Sequence, residues 1–185
     1  MQSTQSNLLK SVALLLGLLL AVTPTLSAGE SISVPGSTVT LEAPAGFTPL
    51  TAAKIAAEIA AKFPRTRPPG YALGNARRST SIAYDLKPQA IKDAELEKGL
   101  EMFGTLTGRV VAKTAWKRKE IIQMAGQRWI FFELTPTAVD TDIHNIMLIT
   151  PLEWQMLIFN FNSTKEDFAK QEAALRASVA SIHLK

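Results

Sequence analysis

Between Trp116 and Asn162 the apolar positions follow a two-residue period in stretches broken by turns. In Arg128–Leu134, Trp129, Phe131 and Glu133 project to one side of an extended chain and Ile130, Phe132 and Leu134 to the other. Both sides are apolar, so both faces of such a strand need cover. In Trp154–Asn162 the division is sharper: Leu157, Phe159 and Phe161 fall together, and Met156 and Ile158 share the opposite face with Asn160 and Asn162. The pattern predicts three or more antiparallel strands, joined by tight turns at Gly126-Gln127 and Pro151–Trp154, in a sheet that needs helices laid against it.

Elsewhere the period changes. Glu30–Glu42 alternates weakly around Pro35-Gly36 and predicts an opening hairpin, followed by a turn at Ala43–Phe47. Thr51 is placed to cap a helix on which Ile55, Ile59 and Phe63 recur, and Pro64 stops it. Pro64–Gly70 reads as a stiff loop carrying Arg65 and Arg67. Strands are expected at Tyr71–Leu73 and Ser79–Leu86 around a turn at Gly74-Asn75. A second helix is expected to be capped by Asp93, to bury Leu96, Leu100 and Phe103, and to end at Gly104 or Gly108. The last helix begins at Ser163 or Thr164, each with an acid three residues on, and buries Phe168, Leu175, Val179 and Ile182. His183, two residues from the C-terminus, is expected to fray.

The N-terminal segment has another logic. Lys10 precedes the apolar run SVALLLGLLLAV, and small residues follow up to Gly29. That order is the one of a secretory signal with cleavage near Ala28, the run being short for a bilayer span; the alternative reading is an uncleaved N-terminal anchor. The expected organisation is therefore a signal over residues 1–28 and one domain over 29–185, without a stable membrane span in the mature form, located in the periplasm or secreted. One core suits the length of 185 residues, and 46% hydrophobic with 19% charged residues suits an ordinary globular fold. A net charge of +4 spread along the chain argues against a nucleic-acid partner. The absence of cysteine excludes disulfides, a catalytic thiol and a lipid-modified cysteine.

With the pieces Ala43–Phe47, Gly126–Trp129, Thr141–Asn145 and Phe159–Asn162 in this order, most of Ser31–Lys185 resembles the PsbP and Mog-like group, which includes DcrB-like envelope proteins. The resemblance implies an α+β protein, an αβα sandwich with a central antiparallel sheet flanked by helices, and a non-enzymatic accessory or binding role. It carries over no functional residue. DcrB-like proteins are commonly lipid-anchored, which a sequence without cysteine does not match.

Candidate chemistry is sparse. In Asp140–Asn145, an extended segment points Asp140, Asp142 and His144 the same way, three potential ligands for a divalent metal. The association of PsbP-like proteins with manganese and calcium chemistry implies the same thought. The segment lacks the glycine and the closing acid of a calcium loop, with Pro151 in the acid's place, and the plainer reading is a polar turn with His144 hydrogen-bonded at a strand start. No G-x-S-x-G or H-E-x-x-H occurs. Arg65, Arg67, Arg77 and Arg78 on adjacent loops, and Trp154 at a turn, are the partner-surface candidates. The reading that results is an exported, non-enzymatic binding or assembly accessory of the envelope, without a cofactor and partnered by another envelope protein. Its rivals are a metal-dependent or serine hydrolase centred on Asp140, Asp142 and His144, and a small-ligand carrier.

Overall fold

A computed structural model of the chain describes residues 29–62, 70–88, 91–110, 113–135 and 143–185; of residues 58–62 and 110 it describes the backbone alone. The expected signal segment, and Arg65 and Arg67, lie outside the described residues. In chain order the elements are β1 (Ser31–Ser33), β2 (Val39–Glu42), β3 (Thr48–Pro49), α1 (Ala52–Lys62), β4 (Tyr71–Gly74), β5 (Thr80–Lys87), a 3-10 turn (Asp93–Glu95), α2 (Leu96–Val110), β6 (Ala115–Met124), β7 (Gln127–Thr135), β8 (Ile143–Leu152), β9 (Gln155–Thr164), α3 (Lys165–Ala180) and β10 (His183–Leu184). The result is α+β, as the pattern predicts.

Seven strands form one sheet in the order β3-β4-β5-β9-β8-β7-β6, and β1-β2-β10 form a second, small one. All pairs are antiparallel. The two tight hairpins follow from turn chemistry: Ala125 and Gly126 both take positive φ between β6 and β7, and Glu153 takes φ 47 between β8 and β9. Strand β8 runs through Pro151 to Leu152, so the second turn is two residues shorter than expected.

The alternation along β7 and β9 sorts into two cores. Trp129, Phe131, Leu157, Phe159 and Phe161 join Ile82 and Tyr84 of β5, with Val39 and Leu41 of the small sheet and Phe168, Leu175 and Ile182 from α3 and its end. On the other face Ile130, Phe132, Leu134 and Ile149 pack with Leu96, and with Leu100 and Phe103 at the margin. Helix α1 touches that second face through Ile55, against Ala72 and Ala83. Thus α3 and the small sheet cover one face, and α2 and α1 the other.

Three local expectations change. Helix α2 runs past Gly104 and Gly108 to Val110. Gly99 and Gly104 are where α2 comes close to the sheet: a Cβ on Gly99 lies 3.2 Å from Ile130 Cδ1, and one on Gly104 2.8 Å from Lys119 Cε. Asp93 opens a 3-10 turn rather than capping α2. His183 is not frayed but pairs with Thr40 in β10, because closing the small sheet satisfies its backbone and tucks Ile182 into the core. The caps at Thr51 and Thr164 form, each accepting a backbone N–H at 3.3 Å from Lys54 and Asp167.

Two substitutions test this packing. Phe132 is fully buried, and Phe132→Ala is expected to lower unfolding free energy by about 3–5 kcal/mol in urea titration, whereas Met102→Gln on the exposed side of α2 changes it by less than about 0.5 kcal/mol. The Tyr84 hydroxyl is buried without a partner, and burial, then neighbouring Tyr71, pushes its pKa up. Tyr84→Phe is therefore expected to be neutral or to stabilise by about 1 kcal/mol; a loss of stability would mean that the hydroxyl has a bonding role.

Candidate functional site

His144 sits at the start of β8, where it pairs with Ser163 of β9 and faces α3. It is 2% exposed, and its ring stacks on Phe168 of α3, with centroids 3.4 Å apart and an interplanar angle of 7°. Its Nε2 lies 2.8 Å from Oε1 of Glu133, the acid that the β7 register sends into the aromatic face with Trp129 and Phe131. Arg176 of α3 reaches the same carboxylate, its two terminal nitrogens donating at 2.9 and 3.4 Å while Nε donates to Glu172 at 2.8 Å. Lys117 of β6 lies over the Phe168 ring at 5.9 Å. A carboxylate buried between sheet and helix is costly unless charged donors surround it, and here they do.

The electrostatics follow from this enclosure. Burial holds the His144 imidazole below its ordinary value, and the Lys117 and Arg176 charges work in the same direction, against the pull of Glu133. For Glu133, burial alone works upward, but the hydrogen bonds from Arg176 and His144 win and hold it below the usual carboxylate value. His144 is thus neutral at pH 7, with one ring nitrogen on Glu133 and a ring face on Phe168. That geometry ties α3 to the sheet and leaves His144 little access to an outside substrate.

Asp140 and Asp142 lie outside the described residues, and among the described residues no group of three or more His, Cys, Asp or Glu side chains is arranged to hold a metal. Of the arginine candidates, Arg77 bonds Asp167 of α3 at 3.2 Å, and Ser79 Oγ donates to the other oxygen of that carboxylate at 2.5 Å. These bonds, Ser79 foremost, hold Asp167 below its ordinary pKa. Arg78 takes φ 55 on the same β4–β5 turn and borders a cavity of about 80 Å³ with Leu50, Ile55 and Thr80. Trp154 stands 64% exposed at the β8–β9 turn, and Trp116 is 36% exposed against Phe132.

Two features escape a reading by single residues. Glu133 and Arg176 become partners only when α3 folds onto β7; the sequence signal was a lone acid in a buried register beside Trp129 and Phe131. On the opposite face, Asn145 of β8 pairs directly with Asn162 of β9, and Met147 with Asn160. Asn145 Nδ2 donates to Oδ1 of Asn162 at 2.6 Å and of Asn160 at 3.3 Å. The shared face of Asn160 and Asn162 is legible from the two-residue period, but the third amide comes from register.

No protein-family model matches the sequence, and no curated protein matches it. Solved structures do. Cyanobacterial PsbP (CyanoP) of Synechocystis sp. PCC 6803 superposes with a TM-score of 0.58 at 9% identity, over 88% of this chain and 96% of that one. LpqN of Mycobacterium tuberculosis, described as involved in cell envelope biogenesis, gives 0.55 at 12% identity over 84% and 90%. A protein of unknown function from Pseudomonas aeruginosa gives 0.50 at 12% identity over 86% and 99%. The resemblance to PsbP read from the sequence therefore holds at the level of the fold.

The His144 network makes a pH prediction. The native pKa of His144 lies below its ordinary 6.5 and that of Glu133 below 4.5, so in both cases the unfolded chain binds more protons. Stability is accordingly fullest above pH 6.5 and falls as pH drops, first through His144 and then through Glu133. In thermal melts from about pH 8 to about pH 4, His144→Gln is expected to flatten the upper part of that slope; an unchanged slope would refute the assignment. Glu133→Ala should cost about 2–4 kcal/mol, the low side of a broken buried pair because Arg176, 40% exposed, can rehydrate.

Proposed function

We propose that this chain, with its PsbP-like α+β fold, is an exported, non-enzymatic binding or assembly accessory of the cell envelope, its helices layered with the sheet as an αβα sandwich. The observation that carries the reading is how the described residues are used. His144, on which the rival hydrolase and metal readings centre, is spent on an internal carboxylate, an arginine-linked network and a stacked phenylalanine. What the molecule turns outward is suited to contact: an exposed indole at Trp154 and a hydrogen-bonding sheet face.

Two further observations support the setting. Lys10, the apolar run after it and the small residues before Gly29 have the order of an export signal cleaved near Ala28. The likeness to LpqN, described as involved in cell envelope biogenesis, brings the envelope in by fold alone. Among the described residues no helix is long and apolar enough to cross a membrane. The partner on this reading is another envelope protein, met without nucleic acid or a resident cofactor.

The hydrolase reading needs His144 to reach a substrate, and its burial counts against that. The carrier reading needs room: the cavity of about 80 Å³ beside Arg78 is far below the roughly 300–1,000 Å³ of small-molecule sites.

The test combines location, capture and activity. Fractionation with N-terminal sequencing is expected to find the mature protein in the envelope fraction, beginning near Gly29. In-cell cross-linking is expected to trap a discrete envelope protein. Turnover of model esters that disappears in His144→Ala, or an uncleaved precursor in the cytoplasm, would discard the proposal.

A further inference from the structure

The two helices on the Ile130 and Phe132 face of the large sheet stand apart. Helix α2 packs on β6 and β7, and α1 on β4 and β5 through Ala72 and Ala83. Between them, β8 and β9 keep Met147, Ile158, Asn160 and Asn162 partly open to solvent. One wall of this strip is apolar. On α2, Glu101 bonds Lys119 of β6 at 2.8 Å and Gly104 abuts the same lysine, which fixes the flank turned to the sheet edge. Met102 and Leu106, one helical turn apart, are 48% and 47% exposed, and helical spacing places them on the opposite flank of α2, the one turned away from the sheet edge.

The floor has spare hydrogen-bonding capacity. Asn145 uses its N–H groups on its two neighbours, which leaves its own carbonyl oxygen and the amide N–H groups of Asn160 and Asn162 without a hydrogen-bond partner among the described residues. These atoms are not enclosed: among the described residues the enclosed side-chain polar atom lacking a partner is the Tyr84 hydroxyl. The amides therefore reach solvent along a strip whose neighbouring charges, Asp85 and Lys87, neutralise one another.

We infer that this strip binds the backbone of an extended, uncharged polypeptide segment; the inference deepens the binding-accessory reading and rests on it. A carboxamide carries the same donor and acceptor as a peptide group, so each asparagine can pair with a backbone carbonyl or N–H. Asn160 and Asn162 stand two residues apart on β9, roughly 7 Å, which is also the repeat of like-facing peptide groups in an extended polypeptide. A segment laid along β9 meets both amides in step. Its alternate side chains then fall on Met147 and Ile158 and against the Met102 and Leu106 wall, so apolar residues at every second position suit it. Beside the strip on β5, the charges of Asp85 and Lys87 are paired with each other. This is recognition of backbone by side-chain amides, with apolar contacts setting preference.

The probe is the capped, fluorescein-labelled octapeptide of alternating Ser and Val, followed by fluorescence anisotropy on the exported protein. Saturable binding is expected. It should weaken at least tenfold when alternate peptide nitrogens are methylated, and at least tenfold in the Asn160→Ala/Asn162→Ala variant, whose circular dichroism is checked against the parent. Met102→Asp, on the helix wall away from the sheet, is expected to weaken it as well. The inference is overturned if the octapeptide does not bind, if the methylated peptide binds equally, or if both variants bind as the parent does. Displacement by maltohexaose would assign the strip to sugars and also overturn it. Cross-linking separates the two levels: an envelope partner still trapped by the asparagine variant sinks the strip as the site while the accessory role stands. Octapeptide binding with no trapped partner does the reverse.

Discussion

Strands β7 and β9 carry large side chains on both faces, and neither face can be left to water. Trp129, Phe132, Phe159 and Phe161 are all essentially inaccessible, yet Phe132 points opposite to the other three. A sheet made of such strands has to be covered twice, and the helices and the small second sheet are placed by that demand. Helix α3, weakly amphipathic by itself, is held because Phe168, Leu175 and Ile182 complete the aromatic face. The C-terminal β10 is drawn in with it, pairing with β2 and finishing the cover.

The same demand explains the buried ions. Glu133 occupies an inward register on β7, so its charge had to be met where α3 crosses the sheet. Arg176 meets it from the helix, His144 from the neighbouring strand, and Phe168 closes the imidazole off. A buried pair of this kind adds little net stability over a well-packed apolar substitute, but removing one member is costly. His144, which the Asp140–Asn145 pattern offers as candidate chemistry, is thus enclosed between Glu133 and Phe168.

The two faces are not equivalent. The aromatic face is closed by α3 and the small sheet together, while the other is covered in two separate places by α2 and α1. On that face of β8 and β9 the residues change from Met147, Ile149, Met156 and Ile158 to Asn145, Asn160 and Asn162. That change is consistent with a strip in contact with water, and three amides from two strands bonded to one another give it a fixed arrangement rather than a loose polar surface.

What the sequence decided by itself is local and periodic. The two-residue alternation in Arg128–Leu134 and Trp154–Asn162 assigns each side chain to a face, the hydroxyls of Thr51 and Thr164 start helices, and the α+β class follows from strands joined by tight turns. These depend on neighbours a few residues apart, which a linear reading contains. It went astray where a local rule met a distant partner. Gly104 is a helix-ending signal in isolation, but α2 continues because that glycine lets Lys119 approach, and His183 is ordered because β2 lies beside it. Only the tertiary structure could decide that Glu133, His144 and Arg176 form one network or that Asn145 joins Asn160 and Asn162. Such contacts are set by strand order, register and helix docking over separations of up to 43 residues, and no pattern along the sequence encodes which polar residue will meet which.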